Sequence, residues 1–109
     1  MTDTDMLVRA AAIAELTFIT PAEGYDGSLG LVLCDSVGRP TRDWNPLVSP
    51  GDAMQLATKL EMVVDYCEGK VWHGQIEVDF EAQIPWIEAA CHAITKTAAT
   101  IHLDKEHEM

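Results

Sequence analysis

Positive charge is scarce in this chain: seven Lys and Arg residues stand against eighteen Asp and Glu, a formal net charge of −11 over 109 residues. A binder of phosphate backbones needs clustered Lys and Arg, so the charge argues against one and no nucleic-acid partner is expected. No run of eighteen apolar residues occurs, which excludes a membrane-spanning helix, and no membrane partner is expected. The start "MTDTD" is acidic where a secretory leader is basic, and a cytoplasmic location is expected. Cysteine is sparse and odd in number. Cys34, Cys67 and Cys91 lie far apart with no C-x-x-C spacing, which reads as free, mostly buried thiols rather than a zinc site. There is no G-x-S-x-G elbow for a nucleophile. In "GYDGSLG" the glycines at 24, 27 and 30 miss the G-x-G-x-x-G spacing, and Asp26 would repel a phosphate. No enzyme activity, cofactor or metal is therefore expected.

What is present is apolar material. Hydrophobic residues make up 48% of the chain, enough for one core, whereas two domains would each be too small to stand unaided. A single domain over 1–109 is expected, with polar ends at 1–4 and 104–109 that fray. The acidic excess has two readings. It can keep the protein soluble, or it can form a surface that imitates nucleic acid and occupies a host protein's DNA site.

The pattern predicts an α+β fold in the order α-β-β-α-β-β-α, helices packed on a small, mainly antiparallel sheet. A first helix is expected over Thr4 to Leu16, capped by Asp3 or Thr4, with Met6, Ala10, Ile13 and Leu16 on its apolar face. "TFIT" reads as a short strand ended by Pro21, and "AEGYDGSLG" as a loop. Leu29 to Cys34 reads as a buried strand and "VGRPTRDWNP" as a loop. In "SPGD" Ser49 is an N-cap, Pro50 suits the first helical position, and Asp52 completes an imperfect capping box. Ala53, Leu56, Ala57 and Leu60 form the stripe of that second helix. Strands are expected over 62–66 and 71–78, reversing at Gly69-Lys70. Trp72, Gly74, Ile76 and Val78 share one face, opposite Val71, His73, Gln75 and Glu77. The closing helix starts near Pro85. Ile87, Ala90, Cys91, Ile94, Ala98 and Ile101 lie on its inner face, and Glu88, His92, Lys96 and Thr100 on its outer one.

Metal-ligating groups do not converge in this reading. Cys67 and His73 could meet across the hairpin, but Cys91 and His92 point about 100° apart on a helix. Trp44 and Trp86 are the side chains of most interest, each beside a proline at an element boundary. Such tryptophans either anchor an interface or cover the end of a core, with the indole N–H bonded to a loop carbonyl. Together with Asn45 they are the candidate partner-binding residues.

The tract "WNPLVSPGDAMQLATKLEMVVDY" resembles the phage ABA-sandwich domain family, whose members show W-N-P-L, a short gap, and G-D-A-x-x-L-A-x-K-L before a strand. The matching residues are Trp44, Asn45, Pro46, Leu47, Gly51, Asp52, Ala53, Leu56, Ala57, Lys59 and Leu60. "DMLVRAAAIAEL" and "ACHAITKTAATI" are similar to the family's opening and closing helices. The resemblance implies an α/β/α-type sandwich of phage or prophage origin and no particular activity. The expected role is that of an accessory protein acting through a host or phage protein partner. The alternative is an acidic DNA mimic that inhibits a host nuclease or defence protein.

Overall fold

The computed structural model describes residues 2–19 and 30–107. The elements run α1 (Asp3–Ile13), β1 (Phe18–Ile19), β2 (Leu31–Cys34), β3 (Pro40–Trp44), α2 (Pro50–Lys59), β4 (Val63–Asp65), β5 (Lys70–His73), β6 (Ile76–Asp79) and α3 (Trp86–His107). The fold is α+β, with helices packed on antiparallel strands. Two strands more than expected are present, and the strands form two three-stranded sheets, β1-β2-β3 and β4-β5-β6, rather than one.

The extra strand β3 lies in a segment whose Gly and Pro suggested a loop. Its first four residues are exposed and only Trp44 is buried, so it carries no apolar signature of its own. Pairing with the apolar β2 makes it a strand, in the register Leu31↔Trp44 and Leu33↔Arg42. Pro40, which lacks a ladder donor, occupies the first position, where a strand tolerates it. The second additional strand comes from dividing 71–78. Gly74, at φ 60°, starts a two-residue turn between His73 and Ile76, where a tight hairpin needs glycine first. That turn resets the alternation. Val71 and Val78 are cross-strand partners on the core side, not on opposite faces.

Both short helices end in the same way. In α1, Leu16 N–H donates to Ala11 O and Glu15 N–H to Ala12 O; in α2, Met62 N–H donates to Ala57 O and Glu61 N–H to Thr58 O. These are paired Schellman bonds, and they place Glu15 at φ 59° and Glu61 at φ 55°, the left-handed region that usually takes glycine. The first helix thus stops at Ile13, short of Leu16. Its cap is Thr2, whose hydroxyl accepts from Asp5 N–H at 3.1 Å, in place of Asp3 or Thr4. Leu7, Ala10, Ala11 and Ala14 are its buried residues, while Met6, Ile13 and Leu16 are only partly buried. Asp3 opens α1 and α3 continues through 104–107, while residues 1, 108 and 109 of the expected polar ends lie outside the described residues. The loop "AEGYDGSLG" and the end of "TFIT" lie outside the described residues, apart from Gly30.

The centre of the molecule is α3, which packs against α1, α2, β5 and β6. Ala89, Ala90, Ala93, Ala98 and Ala99 are buried along it, and such small side chains let neighbours approach closely. Thr95 and Thr97 are fully buried as well. Their hydroxyls donate to Cys91 O at 2.8 Å and Ala93 O at 2.7 Å, so the polar groups are satisfied within the helix. Leu31, Leu33 and Trp44 from the first sheet join the same core as Val71 from the second. Among the described residues no helix is long and apolar enough to cross a membrane.

Candidate functional site

Two of the three candidate residues sit at the entrance to α2. Ser49 is its N-cap and its Oγ accepts from Asp52 N–H at 3.3 Å, with Pro50 in the first turn. The carboxylate of Asp52 does not turn back to Ser49 to close a capping box. Ser49 N–H donates instead to Asn45 O at 2.9 Å. Asp52 Oδ2 accepts from Asn45 N–H at 2.9 Å, and Oδ1 accepts from Arg42 Nη1 at 2.8 Å. Asn45 Oδ1 in turn accepts from Leu47 N–H at 3.0 Å, folding "WNPL" into an Asx turn. Trp44 is only 2% exposed and belongs to the core. The structure therefore gives Trp44 a packing task and Asn45 a turn-forming one.

Trp86 is different. It is 48% exposed, yet held from three sides. Its indole N–H donates to Tyr66 O at 3.0 Å, as a lid over a turn would. Its ring meets Phe80 edge to face at 5.0 Å and 62°, and Phe80 meets Tyr66 at 6.1 Å and 78°. The turn below is fixed by Asp65, whose Oδ1 accepts from Cys67 N–H at 2.9 Å and Glu68 N–H at 3.0 Å. Gly69 closes it at φ 70°. A Cβ there would lie 2.7 Å from Trp86 Cη2, so both the backbone and the ring require glycine.

Next to this aromatic corner an apolar groove of about 190 Å³ opens between α2 and α3. Pro50, Ala53 and Met54 form the α2 wall, Ile87, Ala90, Cys91 and Ile94 the α3 wall, and Tyr66 one end. The Tyr66 hydroxyl meets Met54 Sδ at 3.5 Å. Met54 is 49% exposed and Ile87 63%, so the rim is apolar and open to solvent. Sequence periodicity misplaced Ile87 on the core face of α3 and Tyr66 on a strand. Met54 was the available signal, an apolar residue outside the buried stripe of α2. Cys91 lines the floor at 2% exposure. Burial pushes its thiol pKa up and the Glu88 carboxylate adds to this, so the sulfur is held as a neutral packing group.

A second, larger hollow of about 290 Å³ is lined by Met6 of α1, Val78 and Asp79 of β6, Glu81, and Ala89, His92, Ala93 and Lys96 of α3. Asp79, Glu81 and Lys96 are all exposed, so this is a solvated surface hollow and not an enclosed chamber. Asp79 also lies 3.9 Å from Lys70 Nζ, whose main partner is Glu77 at 2.6 Å. The hydrogen bond to Glu77 holds the Lys70 ammonium above its ordinary pKa. The remaining polar groups do not gather. Cys67 lies in the turn before β5 and His73 at the far end of that strand, so the hairpin separates them. His102 Nδ1 is 3.2 Å from Arg9 Nη1, which donates to Glu106 at 2.9 Å and ties α1 to α3. All three cysteines are free, Cys34 half-buried, Cys67 exposed and Cys91 buried. Among the described residues no three His, Cys, Asp or Glu side chains converge to hold a metal. Comparison with known proteins finds no matching family model, no matching curated protein and no matching solved structure.

Proposed function

We propose that this chain is a phage or prophage accessory protein that acts in the host cytoplasm by contact with another protein, without chemistry of its own. The observation that supports contact is the groove between α2 and α3, lined almost wholly by apolar groups, with Met54, Tyr66 and Ile87 exposed at its rim and exposed Trp86 in the neighbouring aromatic corner. Exposed aromatic and aliphatic residues around a preformed depression are what protein partners use as anchors. The phage origin rests on the tract from Trp44 to Leu60. The hydrogen bonds of Asn45, Ser49 and Asp52 supply a reason for such a tract, because together they build the entrance to α2. The test is affinity capture from a bacterial lysate with the intact chain and with Ile87→Glu and Trp86→Ala variants. A protein retained by the intact chain and lost from both variants supports the reading; retention unaffected by either variant removes the groove from it.

The net charge of −11 favours one other reading, an acidic surface that occupies a host protein's DNA site. Glu77 and Asp79 share the outer face of β6 in the manner of a phosphate ladder, but Lys70 contacts both carboxylates. The two readings separate in the same experiment. Capture by a DNA mimic survives Ile87→Glu and is competed away by duplex DNA.

A further inference from the structure

We infer that the groove takes an apolar side chain, of leucine to phenylalanine size, presented on a basic segment of a partner protein. The inference rests on the protein-contact reading and names the chemistry of the occupant. Size comes first. The groove measures about 190 Å³, and an apolar cavity of about 150 Å³ accepts a benzene ring. Lining comes second. Among the described lining residues the Tyr66 hydroxyl is the one side-chain oxygen or nitrogen, and it is turned to Met54 Sδ. A charged or amide head group entering the groove would lose its water and find no partner, so the inserted group is apolar.

Charge decides what carries that group. Glu88 follows Ile87 in α3 and its charge acts on Cys91 in the groove floor, while Asp65 precedes Tyr66 and Glu68 stands two residues after it in the turn at the groove's end. Between Lys70 and Lys96 the chain has no Lys or Arg, and Lys70 is bound by Glu77. On α2 the groove uses the first turn, whereas Lys59 is the last residue of that helix. A second copy of the chain would set these acids against their own equivalents, at −11 for each molecule. A segment with Lys or Arg beside its apolar anchor meets opposite charge instead, and gains in encounter rate and in selection over acidic competitors. The Tyr66 end of the groove is also held before the partner arrives. The Tyr66 ring meets Phe80, its hydroxyl meets Met54 Sδ and its turn is fixed through Asp65, so little freedom is lost at that end on docking.

The experiment titrates short synthetic peptides into the intact protein, followed by NMR of the Met54, Ile87 and Ile94 methyls. The probe is a Lys/Ser peptide with one central Phe; the controls carry Ala for Phe, or Glu for every Lys. The expected result is saturable shifts at these methyls with the Lys/Phe peptide and at least about tenfold weaker binding by either control. Ile87→Ser, at a residue exposed enough to spare the fold, should weaken binding severalfold, and added salt should weaken it further. Equal binding of the Glu peptide overturns the basic partner while leaving protein contact at the groove intact. Equal binding of the Ala peptide overturns the anchor, and no shifts with any peptide overturn both. A dimer in sedimentation equilibrium that Ile87→Ser abolishes makes the occupant a second copy and also overturns the inference. The protein-contact reading itself fails separately, in lysate capture that ignores the groove variants.

Discussion

Replacing Glu61 by glycine should make this protein more stable, although it deletes a side chain and loosens the unfolded chain. Glu61 occupies the left-handed position after α2 at φ 55°, with its N–H bonded to Thr58 O and that of Met62 to Ala57 O. A side chain with a Cβ costs about 1–2 kcal/mol in that conformation. The carboxylate also stands at the negative end of the helix, where like charge costs about 0.3–1 kcal/mol at low salt. Against these, glycine adds unfolded-state freedom worth about 0.4–1 kcal/mol. The balance is a gain of about 1 kcal/mol, or about 4–8 °C in Tm for a domain of this size. Glu61 is exposed, so truncation leaves no cavity. Urea unfolding of Glu61→Gly beside Glu61→Gln separates the causes, since glutamine removes the charge but keeps the strained backbone. Glycine should exceed glutamine. A Gly variant no more stable than the Gln variant refutes the backbone reasoning. Glu15, at φ 59° after α1, should behave alike, and the two gains should add because no hydrogen-bond partner is shared.

Three further outcomes follow from particular contacts. Trp44→Ala empties a core site and should cost about 3–5 kcal/mol, whereas Ser49→Ala removes one cap and should cost about 1 kcal/mol; urea midpoints of the two variants check the ratio. Gly69→Ala forces a Cβ toward Trp86 Cη2 at a backbone φ of 70°, so it should destabilise the protein and release Trp86 from Tyr66 O, read as a red shift in tryptophan emission. Cys67 should react with a thiol reagent at once and Cys91 only on unfolding, since one is exposed and the other buried. Because the folded-state pKa of Cys91 lies above its unfolded value, the unfolded chain gives up the proton first as pH rises. The stability Cys91 contributes is therefore complete at neutral pH and is lost above the ordinary thiol range, a decline that Cys91→Ala should remove from alkaline unfolding curves.

Much of the architecture was legible because its signals are local. The cap at Ser49, the proline after it, the stripe of Ala53, Leu56 and Ala57, and the strands on either side of Gly69 all follow from spacing over a few residues. What escaped was set by partners distant in the chain. In β3 the sequence P-T-R-D-W looks like a loop because only Trp44 faces the core, and its extended form comes from pairing with β2. The parity of the hairpin failed because one glycine turn of two residues exchanges the faces of every residue beyond it. Asp52 has the spacing of a capping box, yet its carboxylate reaches seven residues back to Asn45 and ten back to Arg42. No local pattern encodes that choice.

The groove shows the same limit in its sharpest form, since its walls come from two helices and a turn that adjoin only in the folded chain. It also shows how the tract at Trp44 to Leu60 can matter to function without touching a partner. The first turn of α2 has two sides. Asp52 points toward β3 and fastens the helix start through Asn45 and Arg42, while Pro50, Ala53 and Met54 form the α2 wall of the groove. The orientation of that wall is therefore set by bonds on the other side of the same turn. A tract of this kind acts as the mount of a contact surface. The exposed rim itself is carried by Met54, Tyr66 and Ile87, none of them among the tract's matching residues, and the last two lie beyond α2 in the chain.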